Sequence, residues 1–306
     1  MIAHVEEILT LAQQRQPKPR LAVAGAGSQA VLEVIRASYE RGLADSILFG
    51  DTQAIAASAE QLAVDLSPFE QVHCADPSQS VHAALEAIQS GRADILCKGV
   101  ATTRTILKGV LDKRLGFRTD RFLSHVGVFN VPAEDRVLII TDAGVNIHPD
   151  LTRKRDIVLN AVDVAHAIGF ERPRVAILSF VEDVTDPSIR SQSDAQQLRK
   201  MYQSGSITGC VVEGPYSLDV ALSPEAAAIK GIRGEVAGRA DIIVMHDIGM
   251  GNVLYKALML WCKPVIASVI MGARVPIVGP SRADSVITKL NSIALAIVVK
   301  PHEQAI

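Results

Sequence analysis

The amino-acid sequence predicts an α/β protein built on mostly parallel sheets. Short runs rich in Val and Ile are apolar along their whole length, as expected of strands covered on both faces. Longer stretches with helical periodicity lie between many of these runs. The alternation of apolar strands with helices is typical of a parallel sheet that carries helices on both sides.

The elements follow from these patterns in chain order. The N-terminal residues predict an amphipathic helix with Val5, Ile8, Leu9 and Leu11 near one face, and acids stand where a signal peptide would be basic. Ten apolar runs predict strands: Leu21–Ala26, Ser46–Gly50, Ala93–Cys97, Ser124–Asn130, Arg136–Thr141, Arg174–Phe180, Cys210–Glu213, Asp241–His246, Val265–Ile270 and Ala294–Val299. Periodic segments predict helices: Ala30–Arg41, Gln79–Gln89, Thr103–Arg114, Arg153–Ile168, Asp194–Gln203 and Val253–Trp261.

Two polar, proline-bearing breaks suggest where two domains meet. The first is NVPAED at Asn130–Asp135, and the second is ARVPIVGP at Ala273–Pro280, before a helix predicted to start at Ser281. We therefore expect a discontinuous first domain of residues 1–134 and 280–306, and a second domain of residues 135–279.

Composition excludes several classes of function. With 48% hydrophobic and 21% charged residues, the 306-residue chain is typical of a globular protein with a sizeable core. Because 31 basic residues nearly balance 33 acidic ones, a broad nucleic-acid surface is not expected. The most apolar stretch is broken by charged residues and prolines, so we expect no membrane span and a cytoplasmic location.

The cysteines and histidines do not form a recognisable metal or disulfide pattern. Cys74, Cys97, Cys210 and Cys262 lie far apart without a C-x-x-C pair, which is typical of reduced, mostly buried thiols. The eight histidines include no H-x-x-x-H or H-E-x-x-H pair, so we expect no catalytic metal.

A glycine-rich turn follows the first predicted strand. Gly25, Gly27 and Ala30 fit the G-x-G-x-x-G/A pattern of dinucleotide-binding turns, and Asp51 follows the next strand. A lone match of this length is a weak signal, because every α/β protein needs small residues at such turns, and the packing interpretation is favoured. A nicotinamide site and a packing turn both remain open.

Two further strand–helix turns carry groups suited to an anion. Lys98 offers a cation and Thr102 and Thr103 offer hydroxyls before a helix, although either threonine could simply cap that helix. Ser281, Arg282 and Asp284 combine a hydroxyl, a planar cation and a carboxylate, where the alternative is an ordinary helix start. An Arg in a first turn opposes the helix dipole, which favours a nearby anion.

A fourth turn, GMGNVLYK after the strand DIIVMHD, also fits a ligand site. Gly249 and Gly251 permit the close approach of a ligand, and Lys256 is a cation for a phosphate group.

Together these segments resemble the phosphate acetyl/butyryl transferase family over nearly the whole chain. Six stretches carry the resemblance in the family's order: KGVATTRTILKGVLDKRLGFR, LSHVGVF, TDAGVNIHPDL, EGPYSLDVALSPEAAAIKGI, VAGRADIIVMHDIGMGNVLYK and VGPSRADSVITK. The short chain and the S-R-A-D-S form resemble the butyryltransferase branch more than the acetyltransferase branch.

The resemblance implies a fold, an assembly and a reaction. The fold would be two α/β domains of the isocitrate dehydrogenase type facing a cleft, in a homodimer or higher homo-oligomer. The reaction would be acyl-CoA + phosphate ⇌ acyl phosphate + CoA, by direct transfer in a ternary complex. Coenzyme A and phosphate would be substrates, with no cofactor, metal, nucleic acid or membrane partner.

The resemblance also implies roles for individual residues. Ser281, Arg282 and Asp284 would be catalytic, with Asp284 as the base that takes the CoA proton. The acetyl branch has its acid later in the helix, near Thr288 here, which leaves Asp284 as the nearest carboxylate. Substrate-binding roles fall on Lys98, Thr102, Thr103, Lys108, Ser124, Asn252, Tyr255 and Lys256.

Three alternatives to a butyryltransferase remain open at this stage. The first is a phosphate acetyltransferase of the same family. The second is an NAD-dependent dehydrogenase that uses Gly25, Gly27 and Asp51. The third is a CoA-binding module that has lost turnover.

Overall fold

The computed structural model of the chain describes residues 1–131, 134–279, 281 and 284–300. The chain divides into two compact units, each of which combines separate parts of the sequence. The N-terminal unit consists of residues 6–120 and the residues from 267 onward. The central unit consists of residues 1–5 and 121–266.

The described residues form the following elements. The strands are β1 (Arg20–Ala24), β2 (Asp45–Gly50), β3 (Glu70–His73), β4 (Ile95–Lys98), β5 (Ser124–Asn130), β6 (Val137–Thr141), β7 (Arg174–Leu178), β8 (Val211–Tyr216), β9 (Ile242–Val244), β10 (Ile266–Met271) and β11 (Ile277–Val278). The helices are α1 (Glu7–Gln13), α2 (Gln29–Glu40), α3 (Thr52–Leu62), α4 (Pro77–Gln89), α5 (Thr103–Val110), α6 (Leu151–Ala167), α7 (Arg190–Gln203), α8 (Leu218–Leu222), α9 (Pro224–Ile229), α10 (Ile248–Ala257) and α11 (Val286–Val299).

The sheet of the N-terminal unit has the strand order β3-β2-β1-β4-β11-β10. Neighbouring strands run parallel from β3 to β11, and β10 is antiparallel to β11. Helix α4 packs against β1, β2 and β4, while α11 packs against β4, β11 and the helices α1 and α2. The apolar strands are buried because helices cover them, as the sequence predicts for parallel strands.

The central unit has the strand order β5-β6-β9-β7-β8. Only the β5–β6 pair is antiparallel among these neighbours in the described part of the chain. Helix α6 packs against β5, β6 and β9, and α7 packs against β7 and β8. Because β5 runs against β6, the amino end of β5 and the carboxyl ends of β6 and β9 lie at one edge of this sheet.

Side-chain caps explain where many of these helices begin. The carboxylates of Asp51, Asp76, Asp150 and Asp247 accept hydrogen bonds from the first-turn amides of α3, α4, α6 and α10. The hydroxyl of Ser285 does the same for α11. Each strand in these places is followed by a capped helix, which is the local pattern of α/β units.

The α/β class and the mostly parallel sheets are confirmed, but one predicted strand is wrong. Ala294–Val299 belongs to helix α11, not to a strand. Almost every residue of that helix from Thr288 onward is buried, so its sequence lacks the polar face by which a helix is recognised. Short β3 and β11, and helices α3, α8 and α9, are additional elements that the pattern did not predict.

The boundaries between the units differ from the predicted domain boundaries. Strand β5 lies in the central unit, and β10 lies almost entirely in the N-terminal unit. The first proline-bearing break lies between the antiparallel neighbours β5 and β6, and the second begins between β10 and its antiparallel neighbour β11 and includes β11 itself. They are connections within a unit, and composition alone does not separate such connections from linkers.

None of the helices in the described residues is long and apolar enough to cross a bilayer.

Candidate functional site

In the N-terminal unit, two of the predicted residues come together at the carboxyl ends of neighbouring strands. β4 ends at Lys98, and Val278 of β11 pairs in parallel with Cys97. Ser281 comes three residues after the end of β11, and Lys98 and Ser281 both line a cavity of about 370 Å³. Ligands of open α/β sheets bind at the carboxyl ends of the strands.

Two hydrogen bonds join Ser281 and Asp284. The backbone N–H of Ser281 donates to Asp284 Oδ2 at 2.7 Å, and the N–H of Asp284 donates to the Ser281 carbonyl at 3.2 Å. The prediction that a helix starts at Ser281 is wrong, because α11 begins at Val286 with Ser285 as its cap. Asp284 therefore lies in the loop before the helix. Arg282 lies outside the described residues.

Thr288, where the acetyl branch has its acid, is buried and engaged in the start of α11. Its N–H donates to Ser285 Oγ at 3.2 Å, and the Ser285 hydroxyl donates to Thr288 Oγ1 at 3.0 Å. Ser285 is thus the cap of α11 and its hydroxyl is bound to that of Thr288, so this position carries a neutral hydroxyl and no carboxylate.

The predicted threonines and Lys108 lie along helix α5. Thr102 is the cap of α5, since its Oγ1 accepts the N–H of Thr105 at 3.1 Å. Thr103 is the exposed first residue of the helix, and Lys108 is exposed in its last turn. Thr102 therefore has the capping role that was the alternative to anion contact, whereas Thr103 and Lys108 face solvent.

The glycine-rich turn after β1 packs tightly against the turn after β4. A Cβ atom on Gly99 would lie 2.0 Å from the carbonyl oxygen of Gly25, and the N–H of Val100 donates to that oxygen at 2.9 Å. Gly25 also has a φ of +80°, which favours glycine. Asp51 caps α3 by accepting the N–H of Gln53 at 3.0 Å. The packing of the two turns explains these residues without a nucleotide.

Most residues that line the cavity were not predicted as site residues from the sequence, and three of them carry polar or thiol groups. Ser28 precedes α2, Lys289 lies one turn into α11, and Cys97 lies beside Lys98. A lone lysine in the otherwise apolar run of α11 was a signal that could have identified Lys289. Burial raises the pKa of the Cys97 thiol to about 12, so this thiol stays protonated near neutral pH.

In the central unit, a buried carboxylate organises the loop TDAGVN at the end of β6. Asp142 accepts the backbone N–H groups of Gly144, Val145 and Asn146 at 2.9 to 3.0 Å. It also accepts the side-chain amide of Asn146 at 2.6 Å. A carboxylate bound by this many donors fixes the loop conformation at the edge of the sheet.

The residues predicted on α10 lie against that loop. Asn252 Nδ2 donates to the carbonyl of Ala143 at 3.3 Å. The buried ring of Tyr255 stacks edge-on against His125 and Phe129, with ring centroids 5.6 and 5.2 Å apart. Lys256 is exposed, with its Nζ 5.5 Å from the Tyr255 ring centroid. Asn252 and Tyr255 thus connect α10 to the ends of β5 and β6.

Ser124 is fully buried inside the central unit. Its Oγ accepts the side-chain amide of Asn160 at 2.8 Å, and the same amide donates to the carbonyl of Phe122 at 2.9 Å. This hydroxyl therefore connects β5 to α6.

A charged cluster around the buried Lys154, at the end of β9, was missed from the sequence. Lys154 Nζ lies 2.7 Å from Asp194 Oδ2 and 2.7 Å from His246 Nδ1. Burial lowers the pKa of Lys154, against the effect of its bond to Asp194. Burial also lowers the pKa of His246, and the charge of Lys154 adds to that effect. Since an ammonium can only donate, Nδ1 of His246 accepts and the ring proton lies on Nε2.

Comparison with known proteins identifies the family. Residues 76–297 match the family model described as phosphate acetyl/butaryl transferase. The chain belongs to this family. It is 44% identical over 299 residues to a phosphate butyryltransferase of Clostridium acetobutylicum, covering 98% of this chain and 99% of that one. The resemblance inferred from the six sequence stretches is therefore confirmed.

Two further relatives of this phosphate acetyl/butyryl transferase family member bear on its activity and fold. A phosphate acetyltransferase of Thermotoga maritima is 39% identical over 294 residues, covering 96% of this chain and 99% of that one. A branched-chain phosphotransacylase from Enterococcus faecalis has a solved structure that matches with a TM-score of 0.80 and 30% identity. That match covers 92% of this chain and 99% of the other.

Proposed function

We propose that this protein is a phosphate acyltransferase that converts butyryl-CoA or a branched short-chain acyl-CoA and phosphate into acyl phosphate and CoA. The observation that carries the proposal is the 44% identity, over nearly the full length of both chains, to a protein named phosphate butyryltransferase. The meeting of Lys98 and Ser281 at two neighbouring strand ends supports it, because strand ends of this kind hold anionic substrates.

The proposed chemistry is direct transfer between the two substrates. In the direction of acyl-CoA synthesis, the CoA thiol gives its proton to a base and the thiolate attacks the acyl carbonyl. The bond between the carbonyl carbon and the phosphate oxygen then breaks, and phosphate leaves. The raised pKa of Cys97 supports this path, since a protonated buried thiol is a poor nucleophile for a covalent acyl-enzyme.

Asp284 is the proposed base, with Ser281 and Arg282 as partners of the phosphate and the developing oxyanion. The hydrogen bond that the Ser281 N–H donates holds the Asp284 carboxylate beside the Ser281 backbone. A fixed donor to a developing oxyanion typically lowers the activation free energy by about 3 kcal/mol. Lys98, Thr103 and Lys108 are proposed contacts for phosphate groups, and Asn252, Tyr255 and Lys256 for the remainder of the substrate.

In this proposal the protein needs no metal or prosthetic group, because its side chains supply the base and the positive charge. CoA and phosphate are its substrates, a homo-oligomer is its working form, and it acts in the cytoplasm. Chelation with EDTA is therefore expected to leave turnover unchanged, and light scattering is expected to give more than one chain mass.

Release of the free CoA thiol tests the function directly. Acetyl-, butyryl- and isobutyryl-CoA are each incubated with the protein, with and without phosphate. We expect phosphate-dependent thiol release that is fastest with a four-carbon acyl group. The absence of phosphate-dependent release from all three would overturn the proposal and leave a CoA-binding module.

A phosphate acetyltransferase is the second candidate function. The 39% identity to the Thermotoga maritima protein of that name favours it. The same assay separates the two, since faster release from acetyl-CoA would select this candidate. Titration with NADH tests the dehydrogenase alternative, and we expect no binding because packing already accounts for Gly25 and Gly99.

A further inference from the structure

The cavity of the N-terminal unit combines polar groups at the strand ends with a mostly apolar lining. Val100 in its lining is 41% exposed, and we call this open side the mouth; Val278 and Ile293 in its lining are fully buried, and we call this inner side the floor. Lys98 and Ser281 also line it at the strand ends. Its volume of about 370 Å³ falls within the range of small-molecule pockets.

The direction of the cavity follows from the helices that form its walls. α2 runs from Ser28 at the strand ends past Val31 to Val34 and Ile35, all of which line the cavity. At 1.5 Å per residue, the six residues from Ser28 to Val34 correspond to a depth of about 9 Å. The cavity therefore extends from the proposed site of chemistry into the space between α2 and α11.

An open cleft of this size with a mostly aliphatic lining favours a partly apolar occupant. Its aliphatic walls offer water no hydrogen bonds, and a hydrocarbon group that covers them removes apolar surface from water. A hydrocarbon chain attached to a polar reacting group matches the lining, with the polar end beside Lys98 and Ser281. Inorganic phosphate alone does not match, since it would leave the aliphatic floor empty.

We propose that this cavity receives the acyl chain of the substrate and that its floor sets the longest chain accepted. This inference rests on the proposed acyltransferase function. The acyl carbonyl lies at the mouth, and the alkyl chain runs between α2 and α11 toward Ile293. Ser28 and the first turns of α2, which the proposed chemistry does not use, then form one wall of a specificity pocket.

Two substitutions change the volume of the pocket in opposite directions. Val31→Phe fills the partly exposed wall, and we expect kcat/KM for butyryl-CoA to fall at least tenfold relative to that for acetyl-CoA. Ile293→Ala enlarges the floor, and we expect hexanoyl-CoA to gain about tenfold relative to butyryl-CoA. If Val31→Phe does not fold, Val31→Leu is a smaller filling change for the same measurement.

Ile297→Ala is the matched control for the enlarging substitution. Ile297 lies one turn beyond Ile293 on α11 and is equally buried, but it does not line the cavity. We expect it to lower the unfolding midpoint while leaving the ratio of kcat/KM values between chain lengths unchanged.

The outcomes separate this inference from the proposed function. If the unmodified protein releases no thiol in the presence of phosphate, the proposed function itself fails. If it is active but neither variant changes the ratios, the cavity is not the acyl pocket. An equal loss for acetyl- and butyryl-CoA also overturns the inference, because the cavity would then hold a part common to all acyl-CoA substrates.

Discussion

Removing the carboxylate beside a buried ammonium tests the energetics of the central unit. The side chain of Lys154 is 2% exposed, and its Nζ is 2.7 Å from Asp194 Oδ2. Asp194→Ala removes one of the two acceptors described for the Lys154 ammonium and leaves His246 Nδ1. Breaking a buried pair from one side costs about 3–5 kcal/mol. Because Asp194 is 15% exposed and water can partly replace it, we expect about 3 kcal/mol.

Urea unfolding followed by circular dichroism measures this loss. At about 2–4 °C per kcal/mol for a unit of this size, the thermal midpoint is expected to fall by roughly 6–12 °C. Adding Lys154→Met to Asp194→Ala removes the stranded charge, so the double variant is expected to be more stable than Asp194→Ala alone. A loss below about 1 kcal/mol in the single variant, or additive losses in the double variant, would refute the reasoning.

The pH dependence supplies an independent check on the same cluster. Burial already lowers the pKa of Lys154 from 10.5, and loss of the Asp194 carboxylate lowers it further. Between the folded pKa and 10.5 the unfolded chain binds more protons, so stability rises with pH through that window. The deficit of Asp194→Ala is therefore expected to be smaller at pH 10 than at pH 7. An equal deficit at both would contradict a buried charge as its cause.

Three further predictions concern the two strand edges. Asp284→Asn should lower acyl transfer to CoA by roughly 10²–10⁴-fold, with partial recovery near the thiol pKa of about 8.5, if Asp284 is the base. The amide oxygen can still accept the Ser281 N–H, so the unfolding midpoint should change little, and normal turnover would assign the base elsewhere. Gly251→Ala should lower the free energy of unfolding by about 1–3 kcal/mol in urea, because the added Cβ would lie 2.2 Å from the carbonyl oxygen of Asp142. Wild-type stability of this variant would show that the backbone shifts to relieve the clash. The pKa of His246 should lie below 6.5 by NMR. As the pH is lowered from 6.5 toward the folded pKa, stability should decrease, because the unfolded chain binds a proton that the folded chain does not. A pKa above 6.5 would be inconsistent with its half-buried site beside Lys154.

The sequence by itself determined the α/β class and much of the secondary structure. Apolar runs such as Leu21–Ala26 and Ser124–Asn130 predicted strands at or within a residue or two of β1 and β5. These elements are readable because a strand covered on both faces must be apolar throughout. The six family stretches identified the family because they follow one another in the family's order between Lys98 and Lys289, inside the matched residues 76–297.

The tertiary structure alone decided which distant residues share a site. Lys98 and Ser281 meet because β4 and β11 are parallel neighbours, a pairing that no local pattern encodes. The run Ala294–Val299 was misread because a helix buried on all sides loses the polar face that distinguishes it from a strand.

The same limit applies to the charged cluster and to the cavity. Lys154 reads as an ordinary surface lysine in sequence, and only the packing of α6, α7 and the end of β9 buries it beside Asp194 and His246. The sequence predicts Ile293 only as a core residue, yet it lines the floor of the cavity because α2 and α11 leave space between them. Local sequence determines which elements form, whereas long-range packing determines which side chains lose water and which cavities persist.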